Sequence, residues 1–177
     1  MKQEKTLDTE QVFRGRAVTL RVDTVEKPGG KRTTREIVEH SDCVAIVAVD
    51  DEYRILLVRQ FRKAVEEELL EIPAGGIEHG ETSAQAVCRE LQEEVGFFPN
   101  TIEELGGFYA APGYCTEYLH LYLATDLTQS ALEAEDTHEI EVVRVPVREV
   151  PDLISSGDIR DAKSVAGLLR FLWRGHT

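Results

Sequence analysis

The chain has 177 residues, of which 42% are hydrophobic, enough for one domain with a sizeable core. Its 20 basic and 33 acidic residues leave a formal charge of −13, which argues against a broad basic surface for a nucleic-acid backbone. Three cysteines without a CxxC spacing, Cys43, Cys88 and Cys115, suggest neither a disulfide framework nor a zinc site.

Residues 1–10 are charged and polar, with no apolar run suited to a signal peptide, and nothing later reaches membrane-spanning length. No membrane association is expected, and the cytoplasm is the expected compartment. Over residues 12–26 Val18, Leu20 and Val22 alternate with Thr19, Arg21 and Asp23, the pattern of a half-buried strand. Lys27-Pro28-Gly29-Gly30-Lys31 supplies a turn and residues 33–39 a return strand, which predicts an N-terminal antiparallel β hairpin. On it Arg35 and Glu36 are either outward charge or ligand contacts. Apolar runs at 43–49 and 53–58, joined by Asp50-Asp51-Glu52, read as central strands. Arg59-Gln60-Phe61-Arg62-Lys63 then breaks the pattern at a strand end, where functional side chains collect; Arg62 is either a surface side chain or a fork for a phosphate. Leu69-Leu70-Glu71-Ile72 is a further strand, closed by the small-residue bend Pro73-Ala74-Gly75-Gly76. Small residues let backbone approach a ligand, so the Ala74 carbonyl is a candidate metal oxygen.

Residues 75–97 carry the densest chemistry. Thr82 and Gln85 have capping-box spacing and Gly96 suits the left-handed position past a last turn, so a helix is predicted between them. At about 100° per residue Ala84, Val87, Leu91 and Val95 form an apolar stripe facing a core, with Cys88 at its edge as a small buried side chain. Glu90 and Glu94 stack at i, i+4, and Glu93 flanks them four residues after Arg89. Most runs of Glu on a helix are solvated faces. Carboxylates gathered this way, however, repel one another and raise their own pKa values unless cations neutralise them, and hard oxygen donors at this density suit Mg²⁺ or Mn²⁺.

Past this helix, which Phe97-Phe98-Pro99-Asn100 ends, residues 102–109 read as a strand and 110–117 as a loop delivering Glu117. A strand at 118–124 has Leu119, Leu121 and Leu123 on one face; residues 128–138, polar and acidic, read as a mobile loop. A strand at 140–145, a short helix at 147–155 and a terminal helix at 161–173 follow, the last with Val165, Leu168, Leu169, Leu172 and Trp173 mostly inward. Dominant strands with one long helix after a strand bend give an α/β or α+β fold with a mixed sheet.

The spacing Gly75, five residues, Glu81, seven residues, Arg89-Glu90-Leu91, one residue, Glu93-Glu94, one residue, Gly96-Phe97 matches every specified position of the Nudix box, and the chain resembles the Nudix hydrolases. Glu71-Ile72-Pro73-Ala74-Gly75-Gly76, Arg59-Gln60-Phe61-Arg62 and Ala111-Pro112-Gly113 with Glu117 are similar to the ADP-ribose pyrophosphatase branch. With the hairpin and the helix start Asp161-Ala162-Lys163-Ser164, the resemblance covers nearly the whole chain. It implies a Nudix-type α/β/α sandwich over residues 41–177, preceded at 1–40 by a β-strand dimerisation segment that completes the adenosine site in a homodimer. It further implies hydrolysis of ADP-ribose to AMP and ribose 5-phosphate with Mg²⁺ or Mn²⁺, held by the Ala74 carbonyl, Glu90 and Glu94 with Glu93 assisting. Arg89 would orient the carboxylates, Glu81 would brace the loop-helix-loop, and Gly75 and Gly96 would shape its ends. Arg62 would contact a phosphate or the terminal ribose, Glu117 the terminal ribose hydroxyls, and Arg35, Glu36 and Gly113 the substrate. In that branch the base is often a Glu on the loop before an Ile-Glu-Val-like strand; here the corresponding position is His138, leaving Glu139 favoured, with His138, Glu135 and a box carboxylate such as Glu93 as alternatives. Two other activities remain: cleavage of another nucleotide sugar such as GDP-mannose, and a sensor that binds ADP-ribose without cleaving it, which the intact Glu90, Glu93 and Glu94 disfavour.

Overall fold

A computed structural model describes residues 3–133 and 140–174 and divides the chain into two compact units, Met1–Asp42 with Tyr109–Tyr118, and Cys43–Phe108 with Leu119–Thr177. In the first unit β1 (Lys5–Arg14), β2 (Thr19–Glu26) and β3 (Arg32–Glu39) form an antiparallel sheet in that order. The expected single strand over 12–26 is broken over residues 15–18, and β1 begins within a stretch whose sequence is merely charged and polar. Every residue of β1 is exposed, so it carries no alternation to read; backbone pairing to β2 holds it rather than burial. Buried Asp23 on β2 accepts a hydrogen bond from Thr9 Oγ1 at 2.9 Å and lies 3.4 Å from Arg21, which offsets its desolvation. Residues 110–117 dock beside β3: Val38 N–H donates to Tyr114 O at 2.7 Å and Thr116 N–H to Val38 O at 3.0 Å. On β1, Leu7, Val12 and Phe13 stay exposed.

The second unit is built on a seven-stranded mixed sheet ordered β10-β5-β4-β9-β8, with β6 added on β5 and β7 on β4. Its strands are β4 (Cys43–Val49), β5 (Arg54–Arg62), β6 (Glu67–Glu71), β7 (Ala74–Gly76), β8 (Phe97–Tyr109), β9 (Tyr118–Gln129) and β10 (Glu141–Pro146). The β4–β9 pair is parallel, while β5 and β7 pair antiparallel to β4. Continuous apolar runs on β4 and β5 have a plain cause: both sheet faces are covered. On one face Val44, Ile46, Leu56 and Val58 pack with Ala86, Val87 and Leu91 of α1 (Ser83–Glu94) and with Val95, its C-cap. On the other, Val47, Ile55, Leu57 and Leu121 pack with Val150 of α2 (Val150–Ser156) and Leu168 of α3 (Ala162–Trp173). The result is an α/β/α sandwich, each fully buried Leu, Ile or Val contributing about 1.5–3 kcal/mol. Gly167 of α3 permits close seating, since a Cβ there would come 2.9 Å from both Ile72 Cδ1 and Leu121 Cδ1.

Several expected boundaries move. Strand β5 runs on through Arg62, β8 starts at Phe97, and Thr128 and Gln129 belong to β9 rather than to the following loop. Trp173, expected inward, is 65% exposed at the end of α3, where the helix runs past the apolar surface it covers. On α1 the core takes Ala86 instead of Ala84. Both flank the Val87–Leu91 line, and only the sheet decides which flank turns in.

Candidate active site

The caps of α1 fix where its carboxylates point. Thr82 Oγ1 accepts from Gln85 N–H at 3.3 Å while Gln85 Oε1 accepts from Thr82 N–H at 2.9 Å, closing the expected capping box. Gly96, at φ +77°, ends the helix in the left-handed region and lets β8 begin at once. With Val87 and Leu91 seated on the sheet, Glu90 lies on the buried flank, 7% exposed. Arg89 binds the surrounding acids through one guanidinium. Its Nε and Nη2 donate to Glu81 at 3.0 and 2.9 Å, Nη1 to Glu90 at 2.6 Å and Glu93 at 3.1 Å, and Nη2 also to the Gly76 carbonyl at 2.8 Å. Glu81 in turn accepts from Glu78 N–H at 3.0 Å, tying the loop before the helix to the same guanidinium. These hydrogen bonds, the Glu81 pair foremost, raise the Arg89 pKa further and hold Glu81 below the usual carboxylate range.

Glu94 turns the other way, onto the strand bend, where its Oε2 accepts from Ala74 N–H at 3.1 Å. Burial, then the neighbouring Glu90, push its carboxyl up to about 8; burial also raises Glu90, with Arg89 opposing. Gly75 is required for space rather than for dihedral freedom, because a Cβ on it would overlap the Glu90 carboxylate. The bend and the helix are therefore in contact through Gly75–Glu90, Ala74–Glu94 and Gly76–Arg89.

A third group lies next to this centre. Glu71, 2% exposed at the end of β6, accepts from Arg62 Nη2 at 2.5 Å, from Arg62 Nε at 3.1 Å and from Lys163 Nζ at 2.7 Å. Burial pushes this carboxyl up, but Arg62 and Lys163 outweigh it and the net shift is downward. Asp161 Oδ1 accepts both from Lys163 Nζ at 2.9 Å and from Ser164 N–H at 3.1 Å, capping α3, while Ser164 Oγ accepts from Ile72 N–H at 2.8 Å. The charges of Arg62 and Lys163 both reach Glu94. The sequence pattern points to Arg62 and leaves Lys163 unmarked; a glutamate closing an apolar strand is the one local sign that a buried cation partner exists.

Residues 39–168 match the family model described as the NUDIX domain. This chain belongs to the Nudix family. Residues 4–38 match the nucleoside diphosphate sugar hydrolase N-terminal domain. The chain is 39% identical over 164 residues to the ADP-ribose pyrophosphatase of Bacillus subtilis (strain 168), covering 92% of this chain and 89% of the relative. It is 39% identical over 165 residues to the methanol dehydrogenase activator of Bacillus methanolicus, covering 92% and 89%. The crystal structure of an ADP compounds hydrolase superposes with a TM-score of 0.89 at 29% identity, covering 99% of this chain and 97% of that one.

The Nudix box helix thus presents hard oxygen donors beside a glycine bend, and its strained charge balance fits a divalent cation. Burial first, and the neighbouring Glu90 second, hold Glu94 protonated well above the ordinary carboxylate range until a cation offsets them. A cation bound there must displace that proton below pH 8, so Mg²⁺ is expected to raise the thermal midpoint more at pH 8 than at pH 6, read by scanning calorimetry with EDTA controls. An equal rise at both pH values counts against Glu94 as a ligand.

Other expected site residues fall in the first unit. Arg35, Glu36 and Gly113 line one cleft of about 350 Å³ with Pro112 and Tyr114. Arg35 there pairs with Glu4, Nη2 to Oε1 at 2.6 Å. Glu117 Oε1 lies 3.9 Å from His40 Nδ1. Glu135, His138 and Glu139 lie outside the described residues.

Proposed function

We propose that this Nudix protein hydrolyses the pyrophosphate bond of ADP-ribose, giving AMP and ribose 5-phosphate, with Mg²⁺ as its cation and Mn²⁺ as a substitute. The observation that carries the reading is the Arg89-centred cluster: one guanidinium holding Glu81, Glu90, Glu93 and the Gly76 carbonyl, with Glu94 fastened to Ala74 beside it. Similarity to a relative named ADP-ribose pyrophosphatase supports the choice of substrate. Glu90, Glu94 and the Ala74 carbonyl hold the cation, with Glu93 assisting. When bound, the cation supplies positive charge to the pyrophosphate oxygens and lowers the pKa of attacking water. Arg89 keeps the carboxylates in register, and Arg62 directs a guanidinium edge to a phosphate. Arg35, Glu36 and Gly113 contact the substrate, and Glu117 the terminal ribose hydroxyls. The proton acceptor is Glu139; at saturating substrate Glu139→Gln loses turnover by about 10² or more, whereas His138→Ala and Glu135→Gln do not.

A panel of nucleotide sugars that includes ADP-ribose and GDP-mannose, assayed with Mg²⁺ and with Mn²⁺ for released phosphomonoester, tests the substrate. ADP-ribose is expected to have the highest kcat/KM; preference for GDP-mannose, or binding without release, overturns it.

The working form we propose is a homodimer through the N-terminal strands. On β1, Val12 and Phe13 are both 55% exposed on a strand whose outer edge pairs with no described residue, and such edges are normally covered. Light scattering at micromolar concentration should give twice the chain mass; a monomer sinks the dimer. All three cysteines are free thiols, which suits a reducing compartment, and we place the protein in the cytoplasm.

A further inference from the structure

The start of α3 lies far from the Nudix box in sequence, yet its side chains touch the strand that leads into the metal-site bend. Ser164 fixes the backbone of Ile72, and Lys163 reaches across 92 positions to the buried Glu71 carboxylate. That carboxylate is shared. Its Oε2 takes Lys163 Nζ at 2.7 Å and Arg62 Nη2 at 2.5 Å, and Arg62 Nε adds a further bond at 3.1 Å. Two of the three guanidinium nitrogens of Arg62 are thus committed inward. Nη1 donates to no described residue, and the side chain as a whole keeps 40% exposure. Lys163, by contrast, is 16% exposed and clamped between Glu71 and Asp161.

We propose that Lys163, fixed by Asp161, is a positioning residue for Arg62: by holding Glu71 from the opposite side it sets the direction in which the guanidinium presents Nη1 to a substrate phosphate. The inference rests on the hydrolase reading above. Glu71 is buried at the end of β6, but a half-exposed arginine at the end of β5 that met a carboxylate with no other partner could turn about that one contact. Pinning the same oxygen to an ammonium anchored on α3 removes that freedom. It also divides the negative charge between two cations, so the guanidinium is left less neutralised toward a phosphate than in a closed one-to-one pair. Asp161 serves both purposes with a single oxygen, since Oδ1 caps the helix and holds the ammonium.

The test is a double-mutant cycle on the full chain with Mg²⁺ and ADP-ribose. Lys163→Met is expected to raise KM about tenfold, the order for misaligning one charge-assisted hydrogen bond, with kcat within about threefold and the Mg²⁺ requirement unchanged. In an Arg62→Ala background the same change is expected to move KM by less than about twofold, because Lys163 acts on the substrate phosphate through Arg62. Equal effects in both backgrounds overturn the proposal. So does an unchanged KM accompanied only by a lower thermal midpoint, the signature of a merely structural lysine. Should Lys163→Met not fold, Asp161→Asn is read in its place; asparagine keeps the helix cap and weakens the hold on the ammonium. A wild-type protein that leaves ADP-ribose intact defeats the hydrolase reading and this role together, whereas an active wild type with an unmoved KM in the variants defeats this role alone.

Discussion

Replacing Glu94 by Gln lowers kcat for ADP-ribose by at least about 10², the upper range for disturbing even an outer-sphere partner of a metal, and leaves the fold in place. The amide oxygen of Gln can still accept from Ala74 N–H, now at 3.1 Å to the carboxylate, so the strand bend keeps its anchor and no cavity opens. What disappears is one full negative charge from the donor set. The same change has an opposite effect on the cation-free protein. Burial and Glu90 put the Glu94 carboxyl at about 8, above its unfolded value, so its contribution to stability is fully present below the ordinary carboxylate range and is lost as pH rises through about 8. Thermal midpoints in EDTA at pH 5 and pH 8.5 should therefore fall further for wild type than for Glu94→Gln. Near-normal turnover of the variant at limiting Mg²⁺ would remove Glu94 from the metal site.

Arg89→Lys is expected to abolish measurable turnover and to destabilise the protein nearly as much as Arg89→Ala, by about 2–4 kcal/mol, a partly buried case of breaking ion pairs. At this chain length that lowers the thermal midpoint by roughly 5–15 °C. Arg89 serves four acceptors from one planar fork: Glu81, Glu90, Glu93 and the Gly76 carbonyl. An ammonium has the charge but neither the span nor the fixed geometry to bridge the loop before α1 and the bend after β6. Its removal leaves Glu90 buried beside Glu93 without its hydrogen-bonded cation, and the Gly76–Arg89 link between bend and helix is lost. Urea unfolding alongside turnover separates the effects: a Lys variant that keeps half its activity would show that charge alone suffices.

Helix α1 was legible because its signals are local. Capping box, apolar stripe, stacked carboxylates and terminal glycine all fall within residues 82–96, and each constrains only its near neighbours in the chain. The strands β4 and β5 were legible for a related reason, since burial on both faces writes an unbroken apolar run. Strand β1 was not, because a strand exposed at every position leaves no periodicity. The choice between Ala84 and Ala86 was equally closed to pattern: a helical wheel gives a stripe and two flanks, and the sheet surface selects one.

By itself the sequence determined the chemistry of the box: which carboxylates stack, which arginine accompanies them, and where the helix that carries them begins and ends. Spacing along one helix is a property of 3.6-residue periodicity and survives any arrangement of the remaining chain. Only the tertiary structure decided what stands behind that chemistry. The pairing of Glu71 with Lys163, the meeting of Arg35 with Gly113 in one cleft, and the packing of Gly75 against Glu90 depend on where separate elements come to rest. Lys163 reaches Glu71 because α3 seats on the sheet through Leu168 and the bare Cα of Gly167, a shape complementarity that residue spacing does not encode.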